Sequence, residues 1–396
     1  MPLILKKKPV VSVDTIDLTL FPGVHSRKFR QSLTVKEERM SASAQPLSET
    51  KLHDFVMKAV GEMGAAMNAG LIVVGDKLGL YKAMAGSGPM TSEEVAKKTG
   101  TLERYVREWL SAQAAGGFVE YDPATKRFTL PPEQAFALAN EESPVFLPGF
   151  FYIVEAVMRD EPKLTEAFRT GKGVGWHEHD ACLFAGTERF FRPNYRAHLI
   201  AEWIPSLGDI EGKLKAGGRV ADVGCGLGTS TILMAQAYPK STFVGFDYHP
   251  KSIELAKEAA SKAGVGDRVK FEVASAKEYP GKGFDLVAFF DCLHDMGDPE
   301  GAARHVLASL DPGGAWMIVE PAAGDKLEDN LNPIGRVFYG ASTMLCTPAS
   351  KSQEVGLALG AQAGEAALSK IMKSAGFTRV RRASQTPFNI VLEARP

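Results

Sequence analysis

The sequence predicts an α/β architecture, a largely parallel sheet covered by helices on both faces, preceded by an α-rich region with a winged-helix pattern. Three observations carry that expectation. From Gly217 onward, short apolar strand-like runs alternate with helical runs, the order that builds parallel strands joined by crossover helices. The first strand, Arg219 to Val223, runs directly into a glycine-rich turn, Gly224-Cys-Gly226-Leu-Gly228, that opens a helix. Upstream, two short helical patterns separated by Gly100 are followed by a β-hairpin pattern, the order of a winged helix.

At 396 residues the chain is long enough to bury two hydrophobic cores, and its 45% hydrophobic and 23% charged residues are ordinary for a globular protein. Residues 1–50 are expected to be a flexible tail. Lys6, Lys7 and Lys8, then Arg27, Lys28 and Arg30, sit in no helical or strand period, and Met40 followed by the polar run to Glu49 would suit the start of a folded protein. The tail lacks the apolar stretch of a secretory signal, and Asp14, Asp17, Glu37 and Glu38 argue against a transit peptide. The four cysteines, Cys182, Cys225, Cys292 and Cys346, form no CxxC pair. That suits a reducing compartment, so a cytoplasmic location is expected.

Residues 51–140 form the expected winged-helix and dimerisation domain. Phe55, Val56, Ala59, Val60 and Met63 recur at helical spacing in a helix that continues to Val74. Thr91-Ser-Glu-Glu94 is a capping box, and Gly100 stops the helix it opens. The second helix places Tyr105, Val106, Trp109 and Leu110 on one face and ends at Gly116-Gly117; the hairpin follows, around Asp122-Pro-Ala-Thr125. A winged helix could bind DNA, but between Thr91 and Trp109 four basic residues are matched by four acidic ones, and the chain's net charge is -1. Phosphate attraction supplies most DNA affinity, so a structural or dimerising role is expected, with a possible homodimer and no nucleic acid partner.

Residues 141–214 read as a helical connector contributing to a substrate pocket. Pro144 to Met158 is the most apolar long stretch, but Pro148, Gly149 and Glu155 interrupt it, and it falls short of the roughly 20 residues a membrane helix needs. A buried helix with an irregular start is expected, and no membrane partner. Phe190, Phe191 and Tyr195 fit either core or an apolar pocket wall. His177 and His179 in Trp176-His-Glu-His-Asp180 invite a metal, but no third ligand is placed, so a polar turn and no metal are expected.

The chemistry gathers after residue 215. Glycines at a strand-to-helix turn let the backbone approach a ligand closely, and the helix N-terminus offers unpaired N–H groups. A dinucleotide fingerprint would need a further glycine where Thr229 stands, whereas this chain reads D-x-G-x-G-x-G from Asp222. The second strand, Thr242 to Phe246, ends on Asp247, where a carboxylate can accept both hydroxyls of a ribose. A nucleotide-like ligand follows.

These segments resemble the Rossmann-like, class I S-adenosylmethionine-dependent methyltransferases over roughly residues 215–396. VADVGCGLGTS is similar to their cofactor loop, VGFDYHP to their ribose-binding strand end, FDLVAFFDCLHDMGDP to their fourth strand and LDPGGAWMIVEP to their fifth. The resemblance implies a seven-stranded sheet whose last hairpin, Phe377 to Arg382 and Phe388 to Glu393, is antiparallel. With the winged-helix segment in front, residues 51–396 resemble plant-type small-molecule O-methyltransferases and related bacterial enzymes. Residues 215–396 are then the catalytic domain, and S-adenosyl-L-methionine is the cofactor.

The resemblance implies a cofactor site of Asp222, Gly224, Cys225, Gly226, Gly228, Asp247, Tyr248, Ser275, Ala276, Phe290 and Asp291. The glycines lie under methionine and ribose, Asp247 holds the ribose, and Tyr248 covers one adenine face. Many relatives carry an acid at the adenine edge; this chain reads Val273-Ala-Ser-Ala-Lys277, with the Ser275 hydroxyl as a substitute. His294 matches the histidine base of the plant-type His-Asp element, oriented by Asp295 or another carboxylate, although Met296 replaces the usual tryptophan. A histidine capping the next helix is the alternative. The implied acceptor is a small molecule methylated on a hydroxyl, held by Phe190, Phe191, Tyr195, Tyr339 and Met344, with Asn332 to Cys346 closing over it. The competing classes are a nicotinamide-dependent oxidoreductase, disfavoured by Thr229, and a non-catalytic regulator that binds cofactor or DNA.

Overall fold

The computed structural model describes residues 47–396, so Met40 and the expected tail up to residue 46 lie outside the described residues. The helix Glu49–Lys77 begins the description, and Val60–Pro396 is one compact unit. The helix carries its apolar stripe where expected but does not bury it: Phe55, Met63 and Met67 are 67%, 66% and 74% exposed. Burial begins only at Ala69, Ile72 and Val73. By length and composition this helix, rather than Pro144 to Met158, is apolar enough to cross a membrane.

The winged-helix region follows its local signals closely. Thr91 caps the helix Ser92–Thr99, its Oγ1 accepting from the Glu94 N–H at 3.3 Å while the Glu94 carboxylate accepts from the Thr91 N–H at 2.8 Å. Gly100 ends it with φ of 67°, a left-handed conformation that costs a side chain-bearing residue more. The next helix, Glu103–Ala115, buries Val106, Trp109 and Leu110 against Ile72, Leu80, Tyr81 and Val95. Tyr105 is a correction, since it is 76% exposed. The buried stripe continues instead to Gln113, a polar residue that a hydrophobic pattern overlooks; its amide accepts from the Tyr81 hydroxyl at 2.7 Å and donates to Asn68 at 2.6 Å. Strands β1 (Glu120–Asp122) and β2 (Arg127–Thr129) form the antiparallel wing.

In the connector, Pro148–Arg159 is the expected buried helix, and it packs on Cys182–His198. Gly186 makes the approach possible, because a Cβ there would stand 2.8 Å from Tyr152 Cβ.

The remaining strands are β3 (Arg219–Val223), β4 (Thr242–Asp247), β5 (Val269–Val273), β6 (Phe284–Phe290), β7 (Leu310–Pro321), β8 (Arg379–Gln385) and β9 (Asn389–Arg395). They form one seven-stranded sheet in the order β5-β4-β3-β6-β7-β9-β8. The first five are parallel, and β9 enters antiparallel between β7 and β8, as the resemblance implies. Both hairpin strands begin later than expected. Phe377 serves the preceding turn, its N–H closing the helix Gly364–Ala375 onto the Met372 carbonyl at 3.1 Å before β8 can pair. Each face of the sheet has its own core, Trp203, Leu214 and Met234 on one side and Phe246, Trp316 and Met372 on the other.

Replacing Thr91 by Ala should cost about 1 kcal/mol of unfolding free energy, the usual loss for an N-cap. Tyr105→Ala should stay within about 0.5 kcal/mol of the wild type, as exposed positions do. Chemical denaturation measures both, and a larger loss at Tyr105 than at Thr91 would contradict the packing described.

Candidate active site

The turn after β3 forms the floor of the site. Gly224, Gly226 and Gly228 all take positive φ, 76°, 52° and 82°, a run that L side chains adopt only with strain. Their surroundings differ. A Cβ on Gly224 would meet Cys292 Sγ at 2.8 Å and one on Gly228 would meet the Phe271 ring at 2.6 Å, whereas a Cβ on Gly226 would point into open space. Gly224, Cys225 and Gly226 line a cavity of about 510 Å³, and Gly228 packs behind it. Asp222 is a second correction: it lies fully buried beneath the turn and does not reach the cavity. Its Oδ2 accepts from the Ser230 and Thr231 hydroxyls, both at 2.6 Å, tying the strand end to the first turn of the helix Thr229–Ala237. Burial pushes its carboxyl up to about 6.

Asp247 closes the next strand. Its carboxylate accepts from the Gly226 N–H at 3.0 Å and the His249 N–H at 2.9 Å, which leaves further lone pairs facing the cavity. Burial raises its pKa against those two backbone donors. Tyr248, Ser275, Ala276, Phe290 and Asp291 line the same cavity. The Ser275 hydroxyl donates to Glu278 at 3.3 Å. The open Gly226 position, the half-buried acceptor at Asp247 and the Phe290 and Tyr248 walls fit an adenosyl group carrying ribose hydroxyls.

Beyond β6 the chemistry changes. Asp291 stands at φ of 50°, rare for a residue with a side chain and concentrated at functional sites. The Asn389 amide donates to one of its oxygens at 2.8 Å and the Tyr195 hydroxyl to the other at 3.1 Å. Burial pushes its carboxyl up to about 8, with the Glu320 charge adding to the shift. His294 follows in a single helical turn, Leu293–Asp295, and is buried. Its Nδ1 bonds the carboxylate of Glu320, whose other oxygen accepts from the Leu293 N–H at 2.9 Å. Burial alone would push the imidazole down. The Glu320 charge, with Cys346 also facing the ring, outweighs it and holds the pKa well above the ordinary value.

The orienting carboxylate is therefore Glu320 and not Asp295, and His294 caps nothing. Asp298 caps the helix Pro299–Ser309 by accepting from the Gly301 N–H at 2.8 Å. Glu320 went unread although the signal was present, an acid at the end of the otherwise apolar run Ala315 to Val319.

Phe190, Phe191 and Tyr195 line the cavity, as do Phe338, Ala341, Leu345 and Cys346, so the two segments expected to cover the site do share it. Tyr339 and Met344 do not line it. Each neighbours a residue that does, Phe338 in the helix Pro333–Ala341 and Leu345 in the turn Ser342–Cys346. Trp176 and Phe184, two of the aromatics spread through residues 142–212 that could line an apolar pocket, also line it, as does Glu188, which was not foreseen. His179 is turned away, its Nδ1 bonded to Asp160 at 2.9 Å, and no cluster of metal-ligating side chains occurs among the described residues.

Residues 214–375 match the family described as "Methyltransferase domain". That stretch carries a methyltransferase domain. Residues 66–140 match the "Rv2258c-like winged HTH domain". The chain is 42% identical over 131 residues to 27-O-demethylrifamycin SV methyltransferase of Amycolatopsis mediterranei, which covers 31% of this chain and 48% of that protein. It thus spans about half the length, or less, of the curated relatives it matches. Mitomycin 7-O-methyltransferase MmcR shares the fold at a TM-score of 0.62 and 20% identity, over 88% of this chain and all of that one. Human N-acetylserotonin methyltransferase, solved with S-adenosylmethionine, shares it at a TM-score of 0.61 and 17% identity, over 90% of this chain and 99% of that one.

The buried acids of the methyltransferase domain give a pH-dependent cost with a definite sign. Asp291 titrates near 3.8 when unfolded and about 8 when folded, so the folded chain binds the extra proton. Its contribution to stability is full below the unfolded value and is lost as pH rises through the folded one. The unfolding free energy of Asp291→Asn, measured against wild type between about pH 4 and 8, should gain steadily on the wild type. A difference independent of pH would show that Asp291 is ionised throughout.

Proposed function

We propose that this chain is an S-adenosylmethionine-dependent O-methyltransferase acting on a hydroxyl of a small, largely apolar or aromatic molecule. One observation carries the reading: a single cavity is lined by the Gly224–Gly226 turn, Asp247 and His294 together with aromatic side chains. The O-methyltransferase named among the structural neighbours supports the choice of a hydroxyl.

Asp247, the turn glycines, Tyr248, Ser275, Ala276 and Phe290 would hold the cofactor, with Asp222 positioning the turn from below. When bound, S-adenosylmethionine supplies an electrophilic methyl group on a sulfonium. The chain's own contribution is alignment, exclusion of water by Phe190, Phe191 and Leu345, and removal of the acceptor's proton. Glu320 fixes the His294 ring through Nδ1 and leaves Nε2 as the nitrogen for the acceptor hydroxyl. The same carboxylate strengthens the base, so the acid limb of the rate profile should lie above the ordinary imidazole value of about 6.5.

The experiment is turnover with a panel of hydroxylated aromatics. His294→Gln should lose roughly 10²-fold or more in rate while binding S-adenosylhomocysteine normally, and Glu320→Gln should move the acid limb to lower pH. Near-normal turnover by His294→Gln would remove it as the base. Asp247→Ala should forfeit two hydrogen bonds of roughly 1.5–3 kcal/mol each, which calorimetric titration with S-adenosylhomocysteine reads directly.

The winged-helix region is read as a dimerisation element and not a DNA reader. Arg104 and Arg107 on its second helix pair with Glu108 at 2.6 Å and Glu103 at 2.8 Å, which leaves little charge for phosphate. The uncovered stripe of Glu49–Lys77 suits a second copy of the chain, and the four free cysteines suit the cytoplasm. Sedimentation should give twice the chain mass and shift towards the monomer in Met67→Glu. A wild-type monomer that pellets with lipid vesicles would favour a membrane surface instead.

A further inference from the structure

The cavity carries a thiol that methyl transfer does not use. Cys346 lines it beside His294, and the sulfur and the imidazole lie within hydrogen-bond reach of one another. Glu320 already holds Nδ1 of that ring, so Nε2 is the nitrogen a thiol can use. Carboxylate, imidazole and thiol thus stand in line, the arrangement in which a base oriented by a third group activates a nucleophile.

Hydrogen bonds fix the two halves of this line against each other. The Gly360 N–H donates to the His294 carbonyl at 3.1 Å, and the Ala361 N–H donates to the Ser342 hydroxyl at 3.0 Å, so one short segment ties the turn that carries His294 to the turn Ser342–Cys346. The Ser350 hydroxyl adds a second tie, donating to the Met296 carbonyl at 2.9 Å. Ile153, Phe338 and Leu345 share one apolar cluster with Cys346 and line the cavity with it, so a molecule that reaches the sulfur must be largely apolar.

The other three cysteines lie in different surroundings. Burial pushes the Cys225 and Cys292 thiols up, with nearby carboxylates adding to the shift, and burial and Asp180 push Cys182 up. The carboxyl groups facing His294 are Glu320, Asp291 and Asp295. Burial pushes the last two up to about 8 and about 7, so near neutral pH they oppose a thiolate less than ordinary carboxylates do.

We propose that Cys346 is a nucleophile activated by His294 and Glu320, and that it takes apolar α,β-unsaturated carbonyl compounds covalently. His294 receives the thiol proton, and the sulfur lone pair forms a bond to the β-carbon as the carbon–carbon π pair shifts toward the carbonyl. The proton then passes from His294 to the α-carbon, leaving a thioether. Such an adduct would block the approach to Nε2, so the same thiol makes the site sensitive to electrophiles. None of this depends on which acceptor is methylated.

The full chain is treated with N-ethylmaleimide, and mass spectrometry of its peptides gives the labelling rate of each cysteine. At pH 6.5 Cys346 should react at least about tenfold faster than Cys182, although Cys182 is the less buried of the two. Between pH 8 and 6 an ordinary thiol slows by roughly a hundredfold, whereas Cys346 should slow by less than about tenfold. In His294→Gln the Cys346 rate should fall at least about tenfold while Cys225 and Cys292 keep theirs, which reports an intact fold. If all four rates rise because that variant unfolds, the wild-type pH profile decides alone. Labelling of Cys346 no faster than that of Cys182, a wild-type rate that follows pH as an ordinary thiol does, or an undiminished rate in folded His294→Gln overturns the proposal.

Discussion

The site depends on the way one buried carboxylate ties a strand end to the helix after it. Asp222 sits inside the sheet with no access to solvent, and the hydroxyls of Ser230 and Thr231 converge on one of its oxygens. That staple holds three residues of positive φ between two regular elements, a conformation that would otherwise be entropically and sterically costly. The turn is then tied to the neighbouring strand, where the Gly224 and Cys225 N–H groups donate to the Phe246 carbonyl at 2.8 and 3.0 Å and the Gly226 N–H donates to Asp247.

Parallel topology does the rest of the gathering. Strands β3, β4, β6 and β7 end at one edge, so Asp247, Asp291 and Glu320, remote in sequence, end beside one another. The antiparallel insertion adds to this edge from the opposite chain direction. Asn389 opens β9 opposite Pro321, and its amide reaches Asp291 while its side-chain oxygen accepts from Asn194 at 2.7 Å. A parallel strand in that place would present its last residue there and not its first. Crowding several acids at one apolar edge raises their proton affinity, and that crowding also makes His294 a stronger base than a free imidazole.

Much of this was legible in the chain. The capping box at Thr91, the stop at Gly100, the limits of β3 and β4 and the placing of Gly224, Gly226, Asp247 and His294 on one edge all follow from local chemistry and strand-helix alternation. Tyr105 and Gln113 show where such reading fails. A helical stripe is identified by apolar residues, so a polar member that finds hydrogen-bond partners in the core goes unseen and its exposed neighbour is counted instead. Tyr339 and Met344 came from an aromatic and apolar stretch, and composition does not say which side of a helix faces inward; the residues that line the cavity are their neighbours Phe338 and Leu345.

The sequence by itself determined the order of elements, the glycine turn after β3 and the acid at the end of the second strand of the sheet, because each depends on backbone conformation and on residues within a few positions. Only the tertiary structure decided which carboxylate meets His294, which aromatics face the cavity and which cations are already paired. Those outcomes depend on the register and crossing of elements far apart in the chain, 98 residues for Asp291 and Asn389 and 195 for Asn194 and Asn389. They also depend on desolvation, which turns an ordinary acid such as Glu320 into the partner of a buried imidazole only when both lie in the same dry edge of the sheet.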